Sequence, residues 1–278
     1  MKRCVPAASH IHLRIVYTRC RLLTRLPRMA GDRYLCPCCG HRFRRFFADG
    51  LKLPVFAERK IVSGAYTENT RCPWCWSSER DRLLYLYLSR CLCAETPWTV
   101  LHLAPEPPLQ RFLRAKPGVL YIAGDLQSPL ATARMDVLRL PLRSASVDWI
   151  LCSHVLEHVL DDRKAMHELF RVLKPGGWAI LQVPIGLAVE TTYEDPAITR
   201  PEDRERAFGQ FDHVRIYAQA DYRRRLESVG FQVRAENALA LFGAEAVDGF
   251  RLNPLEDVHF CRKPAQAPPR PMNERDDG

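Results

Sequence analysis

The chain predicts an α/β fold with a parallel sheet, preceded by a small cysteine-bearing module. Two observations carry this. The first is the stretch 146–184, SVDWILCSHVLEHVLDDRKAMHELFRVLKPGGWAILQVP, which reads as strand, loop, helix, glycine turn and strand. Residues 147–152 form a short apolar run with the aromatic and β-branched bias of a buried parallel strand. Asp161 or Asp162 can cap a helix whose Ala165, Met166, Leu169, Phe170, Val172 and Leu173 recur at helical spacing. Lys174-Pro-Gly-Gly177 stops that helix, and 178–183 is a second buried strand. A strand–helix–strand unit of this length is a right-handed crossover, which makes the sheet parallel. The second observation is a pair of C-x2-C units, Cys36 to Cys39 and Cys72 to Cys75.

At 278 residues there is room for one α/β domain of about 160–200 residues plus a smaller module. Hydrophobic content of 47% and charged content of 26% are those of an ordinary globular protein, and no run of ~18 apolar residues predicts a membrane-spanning helix. The net charge of +9 is concentrated at one end. Residues 1–31 hold Lys2, Arg3, Arg14, Arg19, Arg21, Arg25 and Arg28 with no acid, so the rest of the chain is close to neutral. This argues against a globally basic nucleic-acid binder. The basic arm reads as a solvated arm or a stretch upstream of a true start at Met29, as an amphipathic segment touching an anionic surface, or as a transit segment. No secretory signal is read. With eleven cysteines and no such signal, a cytoplasmic chain with metal-bound and free thiols is expected. Residues 264–278, rich in proline and charge, read as a disordered tail.

Residues 32–95 form the cysteine module and its linking helix. Two C-x2-C knuckles supply Cys36, Cys39, Cys72 and Cys75, enough for a closed tetrahedral zinc site of the zinc-ribbon type. Cys38 is a competing ligand, and free cysteines or a redox pair are the plainer alternatives. Four thiolates leave no open coordination position, so the metal would be structural. Between the knuckles, HRFRRFF (41–47) interleaves cations with aromatics. It fits a nucleic-acid surface, or a ribbon strand with Phe43 and one of Phe46 and Phe47 turned inward; the second reading is favoured. Residues 77–93 open with a helix cap and continue as an amphipathic helix, with Cys91 and Cys93 as small core residues and 95–98 as the joint.

In parallel sheets ligands sit beyond the carboxyl ends of the strands. That rim carries Ser153, His154, Glu157 and His158, then 184–186. The pattern VDxIxxxxVLEHV followed by FxRVLKPGGxxxxxxP closely resembles the second half of class I S-adenosylmethionine-dependent methyltransferases, type 11-like. The resemblance covers about 99–263. It implies a Rossmann-like, seven-stranded, mostly parallel sheet with helices on both faces over 96–263, with S-adenosylmethionine as cofactor. Residues 99–103 would be the first strand. Its loop, with His102, Ala104 and Glu106 as cofactor residues, departs from the family's G-x-G and resembles a methyltransferase subgroup with an L-H-x-A-P-E loop and an N-terminal cysteine module. Residues 118–126 are the second strand, and Asp125 at its end suits the ribose hydroxyls. Its plainer role is a loop cap. Residues 135–141 would be the third strand, with Asp136 on the adenine amine and the Val137 backbone N–H on a ring nitrogen; Ser153 and His154 complete the cofactor set.

Residues 185–215 are too long for a simple connection and read as a substrate-binding insertion, with Tyr193, Glu194 and Arg215 toward the acceptor. His213 is the first candidate general base, oriented by Asp212 or another acid, and His158 is the second. Otherwise this is a capping and packing corner. The last helix falls at 217–228, ending at Gly230. A strand starts at 231–234, and the final strand lies near 250–261.

The rim lacks the Asn-Pro-Pro-aromatic pattern used on nucleobases. The expected acceptor is therefore a small molecule, a hydroxyl of a sugar or secondary metabolite. RNA methylation and a non-catalytic binding protein are the rival readings. Oligomeric state is left open.

Overall fold

The computed structural model describes residues 26–92 and 97–265. Most of the basic arm, Cys93, Glu95 and the tail from 266 lie outside the described residues.

The main sheet contains β1 (Trp98–Leu103), β2 (Val119–Asp125), β3 (Ala133–Arg134), β4 (Val147–Ser153), β5 (Leu173–Gln182), β6 (Gln232–Asn237) and β7 (Asp257–Arg262). Their order is β6-β7-β5-β4-β1-β2-β3. Neighbours from β5 through β3 run parallel, while β7 lies antiparallel between β5 and β6. This is the Rossmann-like, seven-stranded, mostly parallel sheet. Strand order reverses between β1 and β4, so the crevice at their carboxyl ends is where such a sheet binds ligands.

Side chains alternate along the strands and make two cores. Leu101, Ile150, Cys152 and Leu181 pack on one face with Met166 and Leu169 of one helix (Asp162–Val172) and Tyr222 and Leu226 of another (Gln219–Val229). Val100, Trp149, Leu151 and Ile180 pack on the other, against the helices Glu79–Cys91 and Pro107–Arg114 and part of Ala238–Gly249. Ser78 caps the first of these through a full capping box with Asp81.

Three boundaries differ from the sequence reading. The helix after β4 stops at Val172. Leu173 is already extended and pairs with Val147, and the register then shifts before Trp178. Lys174-Pro-Gly-Gly177 is therefore a bulge inside β5, held by Lys174 on the Asp148 carboxylate at 2.9 Å and by backbone bonds to Lys263. The third strand is only Ala133–Arg134; Asp136 leaves it in a tight turn, its Oδ1 accepting from the Leu138 N–H at 2.9 Å. The final strand begins at Asp257, because Ala238–Gly249, capped by Asn237, is a helix and 250–256 is its return loop.

The N-terminal module is two small antiparallel pairs, Ala30–Leu35 with Arg42–Phe43 and Phe47–Asp49 with Thr67–Arg71. Phe43 and Phe46 are buried with Tyr34 around the cysteines, the packing role favoured for the arginine–phenylalanine stretch. Cys91 is exposed rather than in the core. The insertion is folded: Tyr193–Glu194 pairs with Arg215–Ile216, and Ile185–Gly186 pairs with Ile61–Val62 of the module. The module thus sits on the carboxyl rim of the sheet.

Candidate active site

At the end of β1 the chain turns at Ala104, whose φ of 49° is in the left-handed region that a glycine would enter without cost. The alanine holds the turn all the same, its N–H donating to the Gly124 carbonyl at 3.0 Å. Gly124 fits this close approach: a Cβ there would lie 2.6 Å from the Met135 sulfur. His102 is fully buried, with Nδ1 2.9 Å from the Tyr121 hydroxyl and Nε2 2.7 Å from Glu106 Oε2. Both nitrogens are spent inside the protein, so His102 holds Glu106 instead of reaching a ligand as the sequence reading had it. Glu106 Oε1 is buried without a hydrogen bond, with the Arg80 guanidinium 3.9 Å away.

Asp125 ends β2 with Oδ1 accepting from the Gln127 and Ser128 N–H groups at 2.6 and 2.7 Å, the capping role weighed beside the ribose role. Both bonds fall on one oxygen. Asp136 is exposed in its turn, and the Val137 side chain is buried.

At the end of β4, Ser153 is buried with its hydroxyl unpaired. His154 has a φ of 55°, its N–H donates to the Gln182 carbonyl, and its ring lies 3.0 Å from Glu157 and 3.4 Å from the Ser63 hydroxyl. Glu157 follows on a short 3-10 turn (Leu156–His158) and is 1% exposed; its Oε1 is the atom facing His154, and its Oε2 has no hydrogen-bond partner. The Val214 N–H donates to the Glu157 carbonyl at 2.9 Å, which fixes His213 beside this turn. His213 meets His158 edge to face at 4.6 Å, and His158 Nδ1 is 3.2 Å from the Asp212 carboxylate. Burial pushes His213 down to about 4, and burial also lowers His154. Both are therefore neutral at physiological pH and able to accept a proton or ligate a cation.

A cavity of about 600 Å³ opens on these histidines. Ser63, Arg80, His154, Pro184 and His213 contribute to its wall, so the module and the main domain build it together. Among the predicted substrate residues, Arg215 reaches the wall but is 5% exposed. Its donors are taken by Glu194 at 2.7 Å and by the carbonyls of Leu156, Val159 and Leu160. Glu194 is bound in turn by Arg225, which also holds Asp162 at 2.8 Å. Glu194 and Arg215 therefore fasten the insertion to the domain, a correction to their reading as acceptor contacts. Tyr193 packs on Phe208 and under Arg59. Sequence reasoning missed Arg80 and Ser63, because nothing local marks a capped helix or a Ser-Gly turn as a wall of a distant cleft.

The four cysteines converge. Every sulfur of Cys36, Cys39, Cys72 and Cys75 lies within 4.8 Å of the others, with Cys36–Cys75 at 3.5 Å and Cys39–Cys72 at 3.8 Å. Four sulfurs ~2.3 Å from one ion would stand about 3.8 Å apart, so the spacing fits tetrahedral zinc. The Ser77 hydroxyl lies 3.2 Å from both Cys36 and Cys75 sulfur, where it can donate to one thiolate. Cys38 points instead toward the Asp81 carbonyl at 3.9 Å and leaves the cluster.

Residues 100–181 match the Methyltransf_11 family, described as a methyltransferase domain. This methyltransferase-like segment runs from β1 through β5 and carries the rim described above. Over 136 residues the chain is 30% identical to a Mycolicibacterium smegmatis protein described as a probable S-adenosylmethionine-dependent methyltransferase, spanning 48% of each chain. Over 69 residues it is 35% identical to a 37.1 kDa protein of transposon TN4556 from Streptomyces fradiae, covering 25% of this chain and 20% of that one. The chain thus spans about half or less of the curated relatives it matches. Solved structures resembling it include an S-adenosylmethionine-dependent methyltransferase from Mesorhizobium loti (15% identity, 65% of this chain and 98% of that one, TM-score 0.45). Another is the [4+2]-cyclase SpnF (16%, 67% and 81%, TM-score 0.45).

Proposed function

We propose that this chain is a class I S-adenosylmethionine-dependent methyltransferase acting on a hydroxyl of a small molecule. The observation that carries it is the β1/β4 switch point, which lies in the segment that matches the methyltransferase family and has the cavity opening beside it at His154 and His158. Buried, unpaired Glu106 Oε1 and Ser153 Oγ sit there as ready partners for a cofactor's polar end. The left-handed turn at Ala104 takes the place of the usual glycine loop after β1. S-adenosylmethionine, when bound, supplies a sulfonium methyl that is already activated. The chain's residues then align the acceptor, exclude water and accept its proton. Asp125 keeps one carboxylate oxygen clear of its loop bonds for ribose hydroxyls. His154 on the cavity wall would take the hydroxyl proton, and Arg80 gives the cleft a cation. The cavity, walled on one side by the cysteine module, suits a compact acceptor. The cysteine cluster would hold one structural zinc, which keeps that wall in place.

Calorimetric titration with S-adenosylmethionine and S-adenosylhomocysteine tests the reading. Micromolar binding that is lost in Asp125→Ala supports it. Absence of binding by the wild-type chain rejects it.

A further inference from the structure

Beyond the cysteine cluster, Glu157, His158 and His213 bring three ligand atoms within 4.8 Å of one another. Three atoms so placed share a centre about 2.8 Å or less from each, and a small closure reaches the ~2.0–2.2 Å of nitrogen and carboxylate ligation. A second observation points the same way. Glu157 is 1% exposed; its Oε1 lies 3.0 Å from His154 Nδ1, and its Oε2 has no hydrogen-bond partner. A buried carboxylate is normally bonded or metal-bound. His158 Nδ1 is 3.2 Å from Asp212, the outer-sphere carboxylate that orients a ligating imidazole and leaves its Nε2 for an ion. The backbone bond from Val214 to Glu157 joins the two chain segments that supply the ligands.

We propose that Glu157, His158 and His213 bind a divalent transition cation whose open positions face the cavity. Two histidines and one carboxylate form the ligand set of open catalytic sites, in contrast to the closed tetrathiolate of the N-terminal module. His158 and His213 both line the cavity, so a bound cation would meet whatever enters it. An acceptor carrying two adjacent oxygens, a catechol or a vicinal diol, would chelate the cation and be fixed with one hydroxyl polarised. This acceptor class rests on the methyltransferase reading; the metal site does not.

Cobalt separates the two sites, since thiolate-bound Co2+ gives an intense near-ultraviolet charge-transfer band with long-wavelength visible bands, and nitrogen/oxygen-bound Co2+ gives only weak visible bands at shorter wavelength. Titrating the metal-free full chain with Co2+ should fill about two sites per chain and show both signatures. His158→Ala, at a half-buried position, and the isosteric Glu157→Gln should each lose the weak bands and keep the thiolate band, which also reports that the variant is folded. One cobalt per wild-type chain, or weak bands unchanged in both variants, would overturn the site. Catechol added to the cobalt-loaded protein should shift the visible bands, and an unmoved spectrum would overturn the chelating acceptor. None of these readings uses S-adenosylmethionine, so a failure of cofactor binding would remove the methyltransferase reading alone.

Discussion

Arg82 Nε donates to the Phe250 carbonyl at 2.7 Å, tying the cysteine module's helix to the return loop before the last strand. The same fully buried guanidinium donates to Arg251 at 2.7 Å and to Ser77 at 2.9 Å, and it lies over the Phe46 ring. Two adjacent carbonyls of the return loop and one at the start of the helix thus depend on one side chain. Arg82→Leu strands them and should cost about 2–4 kcal/mol. Arg82→Lys, lacking the planar fork, should recover only part of that. Denaturant midpoints of the two variants check this, and unchanged midpoints would dismiss the clamp.

The cysteine cluster should hold zinc through mild chelation. Cys36→Ser combined with Cys72→Ser removes one ligand from each knuckle, so the thiolate-bound zinc should be lost and the melting temperature should fall by about 10 °C or more (about 3 kcal/mol or more). Metal analysis with calorimetry decides it, and full stability of the double variant would leave the cluster without a metal.

The β4-helix-β5 unit, both C-x2-C knuckles and the Ser78 cap were legible in sequence, because each rests on local periodicity or spacing. Asp136 misled the third-strand boundary: its apolar neighbours Met135, Val137 and Leu140 are buried, but from a turn that the aspartate side chain stabilises. Glu194 and Arg215 looked like site residues because they are polar and lie in a long insertion. Their partners Asp162 and Arg225 are distant in sequence, and only the fold shows the charges already satisfied. The meeting of His158 and His213 is likewise a product of tertiary structure, since 54 positions separate two histidines that no shared motif links.

Ala104 holds a left-handed turn that costs an L-residue about 1–2 kcal/mol. Ala104→Gly removes this strain but adds chain entropy to the unfolded state, for a net gain of about 0.5–1 kcal/mol. Its effect on affinity for S-adenosylmethionine should be less than about threefold, since the turn is kept. Thermal unfolding and calorimetry together check this, and a loss of stability would mean that the alanine methyl makes packing contacts worth more than the strain.

Burial, with Glu79 adding to it, pushes Glu256 up to about 8. The side chain is 3% exposed, and its Oε2 has no hydrogen-bond partner. In the unfolded chain this carboxyl titrates near its ordinary value of 4.5, so between the two values the folded state holds a proton that the unfolded state has released. Stability must therefore fall as pH rises across that window, by at most about 1.4 kcal/mol per pH unit, and level off above pH 8. Glu256→Gln keeps the shape and removes the titration. The variant should match the wild type near pH 5 and exceed it by a few kcal/mol at pH 8.5. Denaturant unfolding of both proteins at the two pH values measures the difference, and parallel curves would show that Glu256 is ionised in the fold.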